Sequence, residues 1–434
     1  MENSLNNKIC FVLLTILPVT IILGVAISLI TIVLISLSFL FFSFKNREFS
    51  WIKDPYFKLL SILFVYLLFN SIMSVDPANS LPRNLGFIRY ILFVFAIKFF
   101  IKHNKNYKII FLIWILIVLT VCVDVYYESY HGENLLGYQP SPGSRRIVSF
   151  FKDEYVVGGF LATFLFIICG FLFTKKLIHT KWKTLNYIVP FAVLIAIILT
   201  TERSNTIKSL IGILIIMFIF KEILLKEKII FLSVFAISII SLIYFSENLQ
   251  YRLYGQFAVQ NKEYHEEQTI KQNLISYMQQ NLYFKHYRAG YEVFKTRPAF
   301  GVGNKNFGIT CFNEVWIHEP KKFEARHDTQ FSLQIIGAVC SSHPHQIYIG
   351  LLAEHGIIGT LIILSVIFRI LWLNMKNYLI FKNPIHFGSM LFVILAFLPL
   401  LPTGSFFANF YSTLIWINFA IMLAFEKENH IKNN

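Results

Sequence analysis

Long apolar runs separated by short polar stretches dominate the chain, without the two-residue alternation that marks a half-buried strand. Such runs cover residues 8–44, 56–75, 86–101, 109–127, 156–173, 185–200, 207–220, 229–245, 347–373, 385–401 and 410–425. A helix that crosses a bilayer takes about 20 apolar residues. Each run is therefore one span, except 8–44, which divides into two at Gly24, where glycine permits a tight turn. The first run is too long for a signal peptide and lacks a small-residue cleavage site, so it is read as membrane. The pattern predicts an all-α polytopic membrane protein with about twelve transmembrane helices. Its expected divisions are spans one to nine over 8–245, a large and partly helical loop over 246–344, spans ten to twelve over 345–425, and a tail over 426–434. Within the loop, the polar stretch 263–280 reads as helical.

Composition supports this and removes competing classes. Of 434 residues, 56% are hydrophobic and 15% charged, whereas a soluble domain carries about 25% charge. Disorder, a coiled coil and a disulfide-stapled secreted domain are excluded. The net charge of +15 would suggest nucleic acid in a soluble protein, but no basic stripe is interleaved with exposed aromatics, and no nucleic-acid partner is expected. The cations sit in every second connection: Lys45, Arg47, Lys53 and Lys58; Lys102, Lys105 and Lys108; Lys175, Lys176, Lys181 and Lys183; Lys221, Lys226 and Lys228; Lys376 and Lys382; Lys427 and Lys432. The positive-inside bias then places both termini in the cytoplasm and 246–344 outside. Short outer loops carry only Arg83 or Arg203, and the longer 128–154 loop carries Arg145 and Arg146.

Candidate chemistry gathers on that outer side. His345-Gln346 stands where the long loop re-enters the membrane, with Gly356 and Gly359 following. A histidine at a water–lipid boundary titrates near working pH and is able to take a proton from a hydroxyl, although water alone also satisfies such a residue. His318, His327, Asp328, His343 and His355 lie nearby in sequence, yet no compact paired ligand spacing appears and no metal site is expected. Arg203, in Thr200-Thr201-Glu202-Arg203-Ser204, and Arg288, on an amphipathic segment, carry planar forks that suit phosphate oxygens; the plainer reading of each is a solvated or headgroup-facing arginine. Gly301 and Gly303 follow Pro298 in a turn whose glycines suit close backbone approach rather than a nucleotide fingerprint. Cys311 and Cys340 fall in the external loop, where a disulfide is permitted, whereas Cys10, Cys122 and Cys169 lie in apolar runs. Asp124, Arg89 and Lys98 are expected toward helix ends, which disfavours a transporter or flippase with ionisable groups at the midplane.

Together, the string 288–307, His345-Gln346 with Gly356 and Gly359, and Thr200-x-x-Arg203 resemble the O-antigen ligase and polymerase superfamily of bacterial inner membranes. Phe150-Phe151-Lys152-Asp153-Glu154 before Gly158-Gly159 is similar to a further segment of some members. The resemblance implies a GT-C type glycosyltransferase with an undecaprenyl-diphosphate-linked glycan as donor, and lipid A core or a growing glycan as acceptor. It implies His345 as the catalytic residue and Arg203 and Arg288 as diphosphate holders, with no nucleotide sugar, metal or other cofactor. In-line displacement of the diphosphate implies inversion at the anomeric carbon. Glu202 departs from the pattern of many relatives, and a carboxylate there is placed to pair with Arg203. Ligase, polymerase and protein O-oligosaccharyltransferase share these features and are not separated by them.

Overall fold

Capping residues and prolines set where the helices begin. Asp54 accepts from Tyr56 N (2.9 Å) and Asp76 from Asn79 N (3.2 Å), each just before a proline at the first helical position. Asn281, Gln346 and Asn383 act in the same way on three later helices. The computed structural model describes residues 5–103, 106–152, 154–174, 183–252, 281–315 and 338–427. In chain order the helices are α1 Leu5–Leu23, α2 Val25–Lys45, α3 Pro55–Ile72, α4 Pro77–Gly86, α5 Ile88–His103, α6 Tyr107–His131, α7 Val157–Leu172, α8 Leu185–Leu199, α9 Arg203–Ile219, α10 Leu225–Phe245, α11 Leu282–Thr296, α12 Ile347–Phe381, α13 Pro384–Ala396 and α14 Asn409–Ala424, besides single-turn pieces.

Among the described residues, six stretches are long and apolar enough to cross a membrane by length and composition: α2, α3, α4 with α5, α6, α10 and α12. The expected count of about twelve is thus met only in part. α1, α7, α8, α13 and α14 are shorter apolar helices. α7, α13 and α14 are buried on nearly every face, as helices apolar all round must be, and they pack against one another, α14 also against α5. Gly388 lets α13 reach α7, since a Cβ there would stand 2.1 Å from Phe166 O. α10 is the opposite case. Only Phe231 and Phe235 are buried along it, and Ile230, Ile237, Ile240 and Phe245 are exposed.

Two details differ from the sequence reading. The connection before the 86–101 run folds as α4, whose polar sequence hides it from a hydropathy pattern. Asp124 stands about two turns inside α6, not at its end; it accepts from Leu135 N (2.8 Å) and Ser149 Oγ (2.6 Å) and so ties down the outer loop. Lys98 is held between Asp54 (2.8 Å) and Glu426 (2.9 Å), joining the start of α3 to the end of α14. The 263–280 segment, His318, His327, Asp328, Lys105, Asp153, Lys175, Lys176, Lys181 and Lys432 lie outside the described residues.

Candidate active site

The glycines of the two motifs meet each other. α12 breaks at Gly356 (φ 63°), which frees backbone groups on both sides of the kink. The turn 298–303 takes them up: Val302 N donates to Ala353 O (3.0 Å), Gly303 N to Glu354 O (2.9 Å), Ile357 N to Pro298 O (2.8 Å) and Ile358 N to Ala299 O (3.1 Å). Irregular backbone in a membrane helix is tolerated where protein satisfies it in this way. Gly301 and Gly303 have φ of 71° and 96°. Asn70 donates to Glu354 O (3.2 Å) and accepts from Asn304 N (3.0 Å), and the Glu354 carboxylate accepts from Lys305 N (2.9 Å). Gly359 leaves room for Tyr66, whose hydroxyl lies 3.3 Å from His355 Nδ1.

That joint fixes where α12 starts, and His345 lies just before it. Gln346 caps α12, its Oε1 accepting from Ile349 N (2.9 Å). His345 takes a left-handed backbone (φ 54°), and its carbonyl accepts from Thr403 N (2.8 Å). Such a backbone is costly for a histidine and persists where its surroundings over-determine it. α11 supplies much of the restraint. Gly290 faces Pro344 and Ile349, Lys285 O accepts from Val339 N (3.2 Å), and His286 Nδ1 lies 2.9 Å from Val339 O. A Cys311–Cys340 disulfide, Cα atoms 5.7 Å apart, closes the same segment from the other side. Cys10, Cys122 and Cys169 are free and buried.

Three imidazoles cluster here. The His345 ring centroid lies 4.1 Å from that of His343 and 4.7 Å from that of His286, with Tyr283 at 6.2 Å. Burial, then the neighbouring imidazoles, pushes His345 down to about 3; burial and His286 push His343 down to about 4. Burial also lowers His286. All three are therefore neutral at pH 7. Among the described residues no group of three or more His, Cys, Asp or Glu is arranged to hold a metal ion.

Arg203 opens α9, and its Nη2 donates to Arg252 O (2.5 Å). Glu202 does not take the role read from the sequence. Its carboxylate accepts from Gly158 N (2.9 Å) and Asn205 Nδ2 (2.7 Å) and lies 3.8 Å from Arg146. Gly158 permits this, because a Cβ there would stand 3.0 Å from Glu202 Cδ. Arg288 is exposed on α11, two residues and about 200° of helical turn from the buried His286. The sequence reading left out His286, Tyr283 and Arg252. His286 carried one legible signal, its place on the small and apolar face of α11 with Ala289, Gly290 and Val293.

α11, the turn 298–303 and the start of α12 therefore form one construction that carries His286 and His345, with Arg288 on the exposed face of α11, while Arg203 lies on the α8–α9 connection. Residues 188–364, which contain all of these, match the family described as O-antigen ligase. No curated protein matches the chain. With several apolar helices of spanning length around it, the chain carries an O-antigen ligase family domain over residues 188–364.

Proposed function

We propose that the protein is an inverting, metal-independent glycosyltransferase of the bacterial inner membrane. It transfers a glycan from undecaprenyl diphosphate to an acceptor hydroxyl on the periplasmic face, with lipid A core as the acceptor. In this reading the chain spans the membrane about twelve times, both termini are cytoplasmic, and residues 246–344 with the start of α12 form the periplasmic site. The observation that carries the reading is His345, a neutral imidazole in a restrained left-handed backbone, inside the family-matched region.

His345 accepts the proton of the acceptor hydroxyl as the hydroxyl attacks the anomeric carbon, and the diphosphate leaves with the bonding electrons of the glycosyl bond. Arg203 and the exposed Arg288 hold the diphosphate. Charge grows on the leaving group in the transition state, so guanidinium groups there stabilise it more than the ground state. A base works best when its pKa lies near ambient pH. An anionic donor placed beside His345 raises its pKa toward that range, so the base gains strength when the donor is bound.

Reconstitution with a defined undecaprenyl-diphosphate glycan and separate acceptors tests the reading. Label moving to lipid A core supports it. Label moving only to a second lipid-linked glycan makes the protein a polymerase, and label moving to a protein hydroxyl makes it a protein O-oligosaccharyltransferase. Donor that crosses the bilayer unchanged, with no acceptor modified, overturns the enzyme reading in favour of a flippase.

A further inference from the structure

At the end of α12 away from His345, the start of α3, the last turns of α5 and the end of α14 converge on a cavity of about 600 Å³. Asn377 of α12 lines it, about 45 Å of helix from the His345 end. Its more buried wall is acidic. Asp54 and Glu426 share the single ammonium of Lys98, at 2.8 and 2.9 Å, and the Glu426 side chain is only 8% exposed. Asn377 Nδ2 donates to the second Glu426 oxygen (3.1 Å) and to Tyr56 Oη (3.3 Å). Two carboxylates against one ammonium leave a negative charge on this wall. The rim has the opposite sign. Lys102, one turn beyond Lys98, and Lys427, next after Glu426, line the same cavity and are exposed, and among the described residues neither has a carboxylate partner. Leu373 and Leu423 add an apolar side.

Negative charge within and positive charge at the rim select the ligand. A simple anion meets the lysines but is repelled by the wall, and a simple cation meets the reverse. A zwitterion with an ammonium at its tip and a phosphate behind it satisfies both. The carboxylates have acceptor capacity left: each takes about four hydrogen bonds, whereas Asp54 accepts from Tyr56 N and Lys98, and Glu426 from Lys98 and Asn377. A second ammonium there also neutralises a largely desolvated charge that is costly to leave unpaired. We infer that this cavity binds the aminoethyl phosphate headgroup of a zwitterionic phospholipid, its ammonium between Asp54 and Glu426 and its phosphate on Lys102 and Lys427. Pockets between membrane helices at their water-facing ends take lipid headgroups in this way, and the volume suits a small polar group. The site lies on the side that the positive-inside bias makes cytoplasmic, and it is independent of the transfer reaction.

Native mass spectrometry of the full-length protein, stripped of lipid in detergent, tests the assignment. The probes are phosphatidylethanolamine, phosphatidylcholine and phosphatidylglycerol with the same acyl chains. Wild type is expected to hold one phosphatidylethanolamine about tenfold more tightly than phosphatidylcholine, whose quaternary nitrogen donates no hydrogen bond, and than phosphatidylglycerol. Glu426→Gln is expected to remove that preference. Lys102→Gln with Lys427→Gln, at exposed positions, is expected to weaken phosphatidylethanolamine and phosphatidylcholine alike and to keep the preference between them; it decides the matter if the Glu426 variant shows no cooperative thermal transition. Equal binding of phosphatidylethanolamine and phosphatidylcholine by wild type overturns the inference, as does wild-type affinity in both variants. Tighter binding of phosphatidylglycerol shows a general anionic-headgroup site and overturns it too. Displacement of the lipid by an equal concentration of glycerophosphoethanolamine shows a soluble ligand and overturns the lipid assignment.

Discussion

Gly301 and Gly356 stand backbone to backbone. A Cβ on Gly301 would lie 2.4 Å from His355 N, and a Cβ on Gly356 would lie 2.6 Å from Gly301 N. Both have positive φ, so an alanine at either position meets strain as well as overlap. Overpacking and left-handed strain each cost roughly 1–3 kcal/mol. Gly301→Ala and Gly356→Ala are therefore expected to lower the thermal midpoint of the purified protein, with activity lost in proportion, whereas alanine at the exposed Gly137 is expected to cost less, from its φ alone. An unchanged midpoint for Gly356→Ala would show that the turn and the kink do not support each other.

Much of this joint was legible in the sequence. The two pairs of glycines are visible as motifs, and the apolar runs predict the starts of helices α12 to α14 within a residue, although α12 runs on to Phe381 and α13 stops at Ala396. The connections between distant segments were not legible. Arg146 reads as a solvated loop residue until folding brings Glu202 within 3.8 Å of it. Arg252 closes a polar stretch with no periodicity. α4 was missed because only its Asp76-Pro77 start signal is local, and its other support comes from Asn84, which donates to Leu67 O (2.8 Å) and accepts from Asn304 Nδ2 (2.6 Å).

The disulfide predicts a thiol count. Without reductant the denatured protein should show only Cys10, Cys122 and Cys169 as free thiols, and with reductant all 5. Opening the bridge releases a loop of 29 residues, at a cost of about 3–4 kcal/mol by chain entropy. Since the bridge braces the segment that holds His345, Cys311→Ser with Cys340→Ser should lower both the thermal midpoint and transfer. Five reactive thiols before reduction would contradict the assignment.

The histidine cluster predicts a pH dependence. His343 and His345 are depressed to about 4 and about 3, and His286 is also lowered. An unfolded chain takes up protons near pH 6.5, so between about 6.5 and 4 it binds more protons than the folded one, and stability falls as pH falls. Thermal midpoints measured from pH 7.5 to 4.5 should drop more steeply for wild type than for His286→Asn with His343→Asn. Parallel slopes would remove the cluster as the cause.

Topology is open to labelling at exposed described positions. In intact cells, an impermeant thiol reagent should reach a cysteine at Glu247 and not one at Lys183. The reverse pattern would place Arg203 and His345 on the cytoplasmic side and end the proposed mechanism.

The most direct measurement is single-turnover transfer by His345→Ala in proteoliposomes, with donor binding read on the same sample. A general base acts on the acceptor proton and contributes little to holding the donor, and such bases typically contribute about 100- to 10,000-fold in rate. The variant is therefore expected to bind donor with near wild-type affinity and to lose transfer by that order, with chelator leaving wild type unaffected. Transfer at a near wild-type rate, or wild-type activity that disappears with chelator and returns with a divalent cation, would contradict His345 as the base of a metal-independent reaction.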